Sequence, residues 1–290
     1  MKTPILLAAL AMLAVSAGCK KLPDDSGQQG NTIEAGAVVS GVVFSAKRNQ
    51  TMKYTVWLPA GYDENKTYPF LYLLHGAGDD NGSWNSKGGA SKIADRYLAA
   101  DGVPMVIVMP DAKMSFYVNV NEVREDYPYR DYILGMDPPG HFEEYFIEEL
   151  MPQVEALYHC NKKRALAGLS MGGWGSLYYG LKYPGLFKFY AYAMSPATSL
   201  DWLPTTLKDL IVAQSDLSVF PFITLESGLQ DMTVGIQSVR DCDALLTSYG
   251  VEHRFIERSG GHDWGFWPVC LEKALVEIGK AFNNPIFVYP

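Results

Sequence analysis

Five nearly continuous apolar runs constrain this chain most. PFLYLLHG (69–76), VPMVIVMPD (103–111), RALAG (164–168), FKFYAYAMS (187–195) and FPFITLESG (220–228) are each bounded by Gly, Pro, Asp or Ser. A strand wetted on one face alternates polar and apolar residues, so runs of this kind suit strands covered on both faces, as in a parallel sheet between helices. VEHRFIE (251–257) is a weaker, alternating strand. Helical stretches lie between the runs: 91–101, 141–158 despite Pro152, 174–184, 234–250 closing on Gly250, and about 267–282. Two β-rich stretches, AVVSGVVFSA (37–46) and TMKYTVWLP (51–59), precede them and are close enough to pair antiparallel. The expected fold is an α/β three-layer sandwich with a mostly parallel central sheet and an antiparallel N-terminal strand pair.

The first 18 residues stand apart. Lys2, an unbroken apolar run from Ile5 to Val15, then Ser16, Ala17 and Gly18 have the form of an export signal, too short to span a membrane. The SAGC ending resembles bacterial lipoprotein signals, which would make Cys19 an acylated N-terminus; Ser16 replaces the preferred leucine, so simple secretion after Ala17 stays open. Residues 19–35 are expected to be a flexible tether, and 36–290 one domain. Lipidation would place the protein on a membrane only through Cys19, as a periplasmic or cell-surface lipoprotein. The net charge of -8 and the lack of a basic stripe argue against a nucleic-acid partner. Cys160, Cys242 and Cys270 allow at most one disulfide within the domain, and no Cys or His spacing suits a metal.

The stretch RALAGLSMGGWGS (164–176) contains Gly-x-Ser-x-Gly centred on Ser170. Composition alone would produce that pattern roughly 0.16 times in such a chain, so only its context gives it meaning. A strand precedes it and a helix follows, which puts Ser170 at a strand-to-helix turn where helix amides face any anion. A helix-capping serine would look similar. A nucleophilic serine needs a base, and the base an orienter. Of five histidines, His262 in SGGHDWGFW lies just after a strand and before the last helix, where a loop can reach across the sheet's C-terminal edge. Asp216, Glu226, Asp231 and Asp263 are candidate acids; Asp231, three residues past Gly228 at a buried strand's C-terminal end, is best placed. Met171 N–H, next to the serine, and Ala77 N–H, in LLHGAGDDNGSW (73–84), are the expected oxyanion donors, with His75 holding that loop.

YPFLYLLHGAG, VIVMPDA, YFIEELMPQVEALY, RALAGLSMGGWGSL and SGGHDWGFW, in this order, resemble the esterase D branch of the α/β-hydrolases. That branch includes feruloyl and acetyl-xylan esterases of carbohydrate esterase family one, S-formylglutathione hydrolases, siderophore-ester hydrolases and mycolyltransferases. The resemblance covers roughly 40–285 and implies Ser170, Asp231 and His262 as triad, Ala77 and Met171 as oxyanion hole, and neither cofactor nor metal. Residues 112–140 form a long aromatic-rich connection after a strand end. Phe116, Tyr117, Tyr127, Tyr129 and Tyr132, with Trp84 and with Trp264 beside the histidine, are candidates to stack on a sugar or phenolic acyl group, or equally to pin the loop. The expectation is an exported serine esterase acting on a carbohydrate-linked ester. Acyl transfer, siderophore-ester hydrolysis and a non-catalytic binding lipoprotein on the same scaffold are the rivals.

Overall fold

A computed structural model describes residues 34–284 apart from Pro139 and Ser199. The expected export signal, Cys19 and nearly all of the expected tether lie outside the described residues, as do residues 285–290. One eight-stranded sheet runs through the described chain: β1 (Ala37–Ser45), β2 (Gln50–Leu58), β3 (Tyr68–Leu74), β4 (Val106–Pro110), β5 (Cys160–Leu169), β6 (Tyr190–Met194), β7 (Phe222–Gly228) and β8 (His253–Arg258). Their spatial order is β1-β2-β4-β3-β5-β6-β7-β8. β1 and β2 form the expected antiparallel hairpin, β2 meets β4 antiparallel, and the pairs from β4 through β8 are parallel.

The apolar runs are buried on both faces because helices cover both. On β3, Phe70, Tyr72 and Leu74 enter one core layer while Leu71 and Leu73 enter the other. The first layer lies under α4 (Phe142–Glu144), α5 (Met151–Leu157), α6 (Met171–Lys182) and α8 (Ile236–Tyr249); the second lies under α2 (Ala90–Ala99) and α9 (Trp267–Asn283). On β6 the α6 side carries only Ala191 and Ala193, and a β-carbon on Gly180 of α6 would come within 3.2 Å of the Ala191 β-carbon. Small residues there let helix and sheet approach closely.

The helix over 141–158 does survive Pro152. A π turn, Tyr145–Leu150, joins α4 to α5, with Met151 N–H bonded five residues back to Phe146 O. The widened turn carries Glu148, whose carbonyl a regular helix would drive into the proline ring. Three short helices were not legible as elements: α1 (Ser83–Ser86), α3 (Arg130–Met136) within the 112–140 connection, and α7 (Leu207–Val212). The last had a signal, since Thr206 and Asp209 form a reciprocal capping box. Cys160, Cys242 and Cys270 are free thiols.

β4 lies on one side of β3 and β5 on the other, so the connections diverge at the β3–β5 junction. Open α/β sheets leave a crevice at the C-terminal ends of such strands. The β3 and β5 ends carry the Ala77 loop and Ser170.

Candidate active site

Ser170 follows β5 with φ 52° and ψ −113°, a conformation that costs an L residue about 1–3 kcal/mol. Three glycines make the turn possible. A β-carbon would lie 2.3 Å from Gly172 O if placed on Gly168, 2.4 Å from Leu74 O on Gly172, and 2.9 Å from Met194 O on Gly173. Ser170 N–H donates to Met194 O at 2.8 Å, and Ser170 O accepts from Trp174 N and Ala197 N at 3.0 and 3.2 Å. Backbone from β3, β5 and β6 therefore grips the turn, and the hydroxyl is held clear of it.

His262 sits in the loop between β8 and α9. Its Nε2 is 2.9 Å from Ser170 Oγ and its Nδ1 is 2.7 Å from Asp231 Oδ2. Asp231 stands just beyond β7 with its side chain fully buried, and its Oδ1 accepts the amides of Thr233 (3.0 Å) and Val234 (3.1 Å). Burial works to raise the Asp231 carboxyl, but the hydrogen bonds from His262 and the Val234 amide outweigh it and its pKa is lowered. An ionised carboxylate only accepts, so Nδ1 carries the proton and Nε2 presents a lone pair to the serine hydroxyl. That arrangement can take a proton from Oγ and stabilise the imidazolium that results.

The other candidate acids are engaged elsewhere. Glu226 lies within β7 on the face covered by α9, where Arg258 Nε (2.5 Å), Lys273 Nζ (2.7 Å) and the Tyr192 hydroxyl meet it. Asp263 accepts the Gly265 and Phe266 amides, and Asp216 the Ser218 amide. Among the remaining histidines, His253 pairs with Asp243 at 2.9 Å, and His141 lies 3.2 Å from Glu144.

His75 is buried and holds the loop after β3. Ala112 N–H donates to its Nε2 at 2.8 Å, so the proton is on Nδ1, which donates to Gly76 O at 2.7 Å. Burial lowers its pKa and keeps the ring neutral. A β-carbon on Gly76 would lie 3.5 Å from the Ser170 β-carbon, so the next residue, Ala77, borders the serine; its N–H has no acceptor among the described residues. Met171 is the first residue of α6, where helix amides have no partner within the helix. Both N–H groups are therefore open among the described residues, and they belong to the two turns that meet at Ser170.

Two of the expected stacking residues are corrected. Trp84 is 1 % exposed with its indole N–H given to Leu74 O, and Tyr117 is 0 % exposed with its hydroxyl given to His75 O. Both brace the β3 end from within and offer no face to a ligand. Phe116, Tyr127 and Trp264 are half-buried, Phe116 edge-on to Trp202 and Trp264 edge-on to Trp84. Tyr129 and Tyr132 are largely exposed. Trp267, not anticipated near the site, sets its ring edge-to-face with His262 at 5.1 Å. Its only signal was the aromatic spacing of DWGFW. Among the described residues no His, Cys, Asp and Glu group could hold a metal.

A fold with divergent connections at β3–β5 and a serine on a strained strand-to-helix turn defines the α/β-hydrolase class. A family model described as "Putative esterase" matches residues 45–278, and the chain belongs to that family. It is 26% identical to a ferulic acid esterase of known structure, with a TM-score of 0.73 over 86% of this chain and 99% of that one. An endo-1,4-beta-xylanase/feruloyl esterase of Xylanibacter ruminicola is 27% identical over 86% of this chain, which spans about a third (32%) of that protein's length. An acetyl esterase of Caldicellulosiruptor saccharolyticus is 26% identical over 72% of this chain and 83% of its own.

Proposed function

We propose that this protein is an exported serine carboxylic-ester hydrolase that removes feruloyl or acetyl groups from plant polysaccharide, held to a membrane by acylation of Cys19. The observation that carries the hydrolase is the continuous hydrogen-bonded line Ser170–His262–Asp231 at the C-terminal edge of the sheet. Ser170 Oγ attacks the ester carbonyl while its proton passes to His262 Nε2, and Asp231 holds the imidazole and favours its charged form. The carbonyl oxygen becomes an oxyanion between the N–H groups of Ala77 and Met171; each such donor is worth about 3 kcal/mol in the transition state. The departing alkoxide takes the proton from Nε2 and leaves an acyl-enzyme at Ser170. Water, deprotonated by the same nitrogen, then releases the acid and restores the hydroxyl.

Similarity to a ferulic acid esterase and to an acetyl esterase supports the substrate class, and the half-buried Phe116, Tyr127 and Trp264 are the aromatic surfaces for the acyl or sugar group. Steady-state kinetics on feruloylated arabino-oligosaccharides, acetylated xylan fragments and p-nitrophenyl acetate test it. Higher kcat/KM on one of the two carbohydrate esters is the expected outcome, and preference for the simple acetate would remove the polysaccharide assignment. Membrane fractionation of wild type beside Cys19→Ser tests the anchor, which is expected to be lost only in the variant.

A further inference from the structure

The loop that carries His262 is fixed at its stem and almost unsupported at its tip. At the stem, Arg258, the last residue of β8, donates to Phe266 O at 2.7 Å and stacks its guanidinium 3.5 Å from the Phe266 ring centre, joining the loop's two ends. Its Nε reaches Glu226 at 2.5 Å, which ties the stem to β7. The tip, Ser259-Gly260-Gly261, contains two glycines, and Gly260 has φ 144°, open to few residues but glycine. Such a segment orders itself at high entropic cost unless something holds it.

Gln230 holds it. Its side-chain oxygen accepts Gly260 N–H at 2.7 Å and lies 3.3 Å from Ser259 Oγ, while the Gln230 backbone N–H donates to Gly260 O at 3.0 Å. Among the described residues, the hydrogen bonds that Ser259 and Gly260 make beyond their own loop go to Gln230. Gly228 permits the approach, since a β-carbon there would fall 2.3 Å from Gly260 O. Gln230 is also the residue next to Asp231. The exposed side-chain amide of Gln230 therefore adds to one backbone hydrogen bond in tying the loop bearing the carboxylate to the loop bearing the imidazole.

We infer that Gln230 is a positioning residue for the triad: it locks the Gly260 peptide to the Asp231 turn and so keeps His262 within reach of both Ser170 and Asp231. This rests on the serine-hydrolase reading of the same site. Misplacing a catalytic group by about 1 Å can cost on the order of 100-fold, and a tether whose loss only loosens the group is expected to cost about 10-fold.

The test compares full-length wild type, Gln230→Ala and Gln230→Glu on p-nitrophenyl acetate, with thermal melts and labelling by a serine-directed phosphonate. Gln230→Ala should lower kcat about 10-fold and slow labelling alike, with KM and the melting midpoint nearly unchanged, because the side chain is exposed. Gln230→Glu, which keeps an oxygen for Gly260 N–H, should recover most of the rate. Unchanged kcat in Gln230→Ala, a rate loss matched by a fall in melting midpoint, or no recovery in Gln230→Glu would each overturn the inference. If wild type itself neither hydrolyses nor labels at Ser170, the hydrolase reading falls and the positioning role with it; an active wild type with an equally active Gln230→Ala removes the positioning role alone.

Discussion

The Ser170 turn and the His262 loop place two partners of one hydrogen bond by opposite means. The serine is held by backbone packed on backbone: Gly168, Gly172 and Gly173 admit no β-carbon, and the Met194 carbonyl of β6 and the Trp174 amide of α6 close on Ser170 from either side. The histidine is held by polar side chains, Arg258 at the stem and Gln230 at the tip, with Asp231 as its last contact. Steric confinement fixes a position sharply and fails when volume is added. Hydrogen-bonded confinement tolerates volume and fails when an acceptor is removed. A serine nucleophile at such a turn would have to keep a strained conformation, which packing can enforce, whereas a histidine base would have to keep a tautomer as well as a place, and that needs a polar partner.

The contrast can be broken from the histidine side by Asp231→Asn. The amide has nearly the carboxylate's shape, but its N–H group would turn towards Nδ1 and force the proton to Nε2, where it cannot accept from Ser170. A loss of about 10⁴ in kcat with an intact fold is expected, read by steady-state kinetics and circular dichroism. Retained activity would mean that the tautomer is set elsewhere. From the serine side, Gly172→Ala adds a methyl group 2.4 Å from Leu74 O and 2.6 Å from His75 O, backbone atoms at the end of β3 and the start of the loop that follows it. Movement of about 1 Å should follow, with on the order of 100-fold loss of kcat/KM and a melting midpoint lowered by several degrees. Gly265→Ala, beside the loop's Asp263 carboxylate, should cost less than Gly172→Ala in both assays; equal losses would remove the distinction.

The smallest expected effect is in pH. Burial lowers the pKa of His75, which is neutral in the fold, while in the unfolded chain it titrates near pH 6.5. Below that value the unfolded state binds the extra proton, so stability is lost as pH falls through about 6.5 and is flat in this respect above it. Thermal melts at pH 5 and pH 7.5 should differ by more in wild type than in His75→Gln.

The parallel strands were legible because burial on both faces leaves runs with no polar alternation, and β3 to β7 fall on those runs. Ser170, Asp231 and His262 were legible for a related reason: each follows a strand end, and parallel strands bring their C-terminal ends to one edge. Trp84 and Tyr117 were not, because an aromatic residue near a site has one sequence signature whether it faces a ligand or the interior. Their burial and the hydrogen bonds to Leu74 O and His75 O separate the cases. Gln230 was illegible altogether. A tether between two loops depends on the register of β7 against β8, and no spacing in the chain records it.

The central claim is that Ser170 is a nucleophile held at a steric turn and activated by His262. The most direct measurement is p-nitrophenyl acetate turnover by wild type and Ser170→Ala, with mass mapping of the adduct left by a serine-directed phosphonate. Turnover by wild type alone, with one adduct on Ser170, is the predicted result. Equal background rates in both proteins with no adduct on Ser170 would contradict it, and the glycine-rich turn would then be a structural device only.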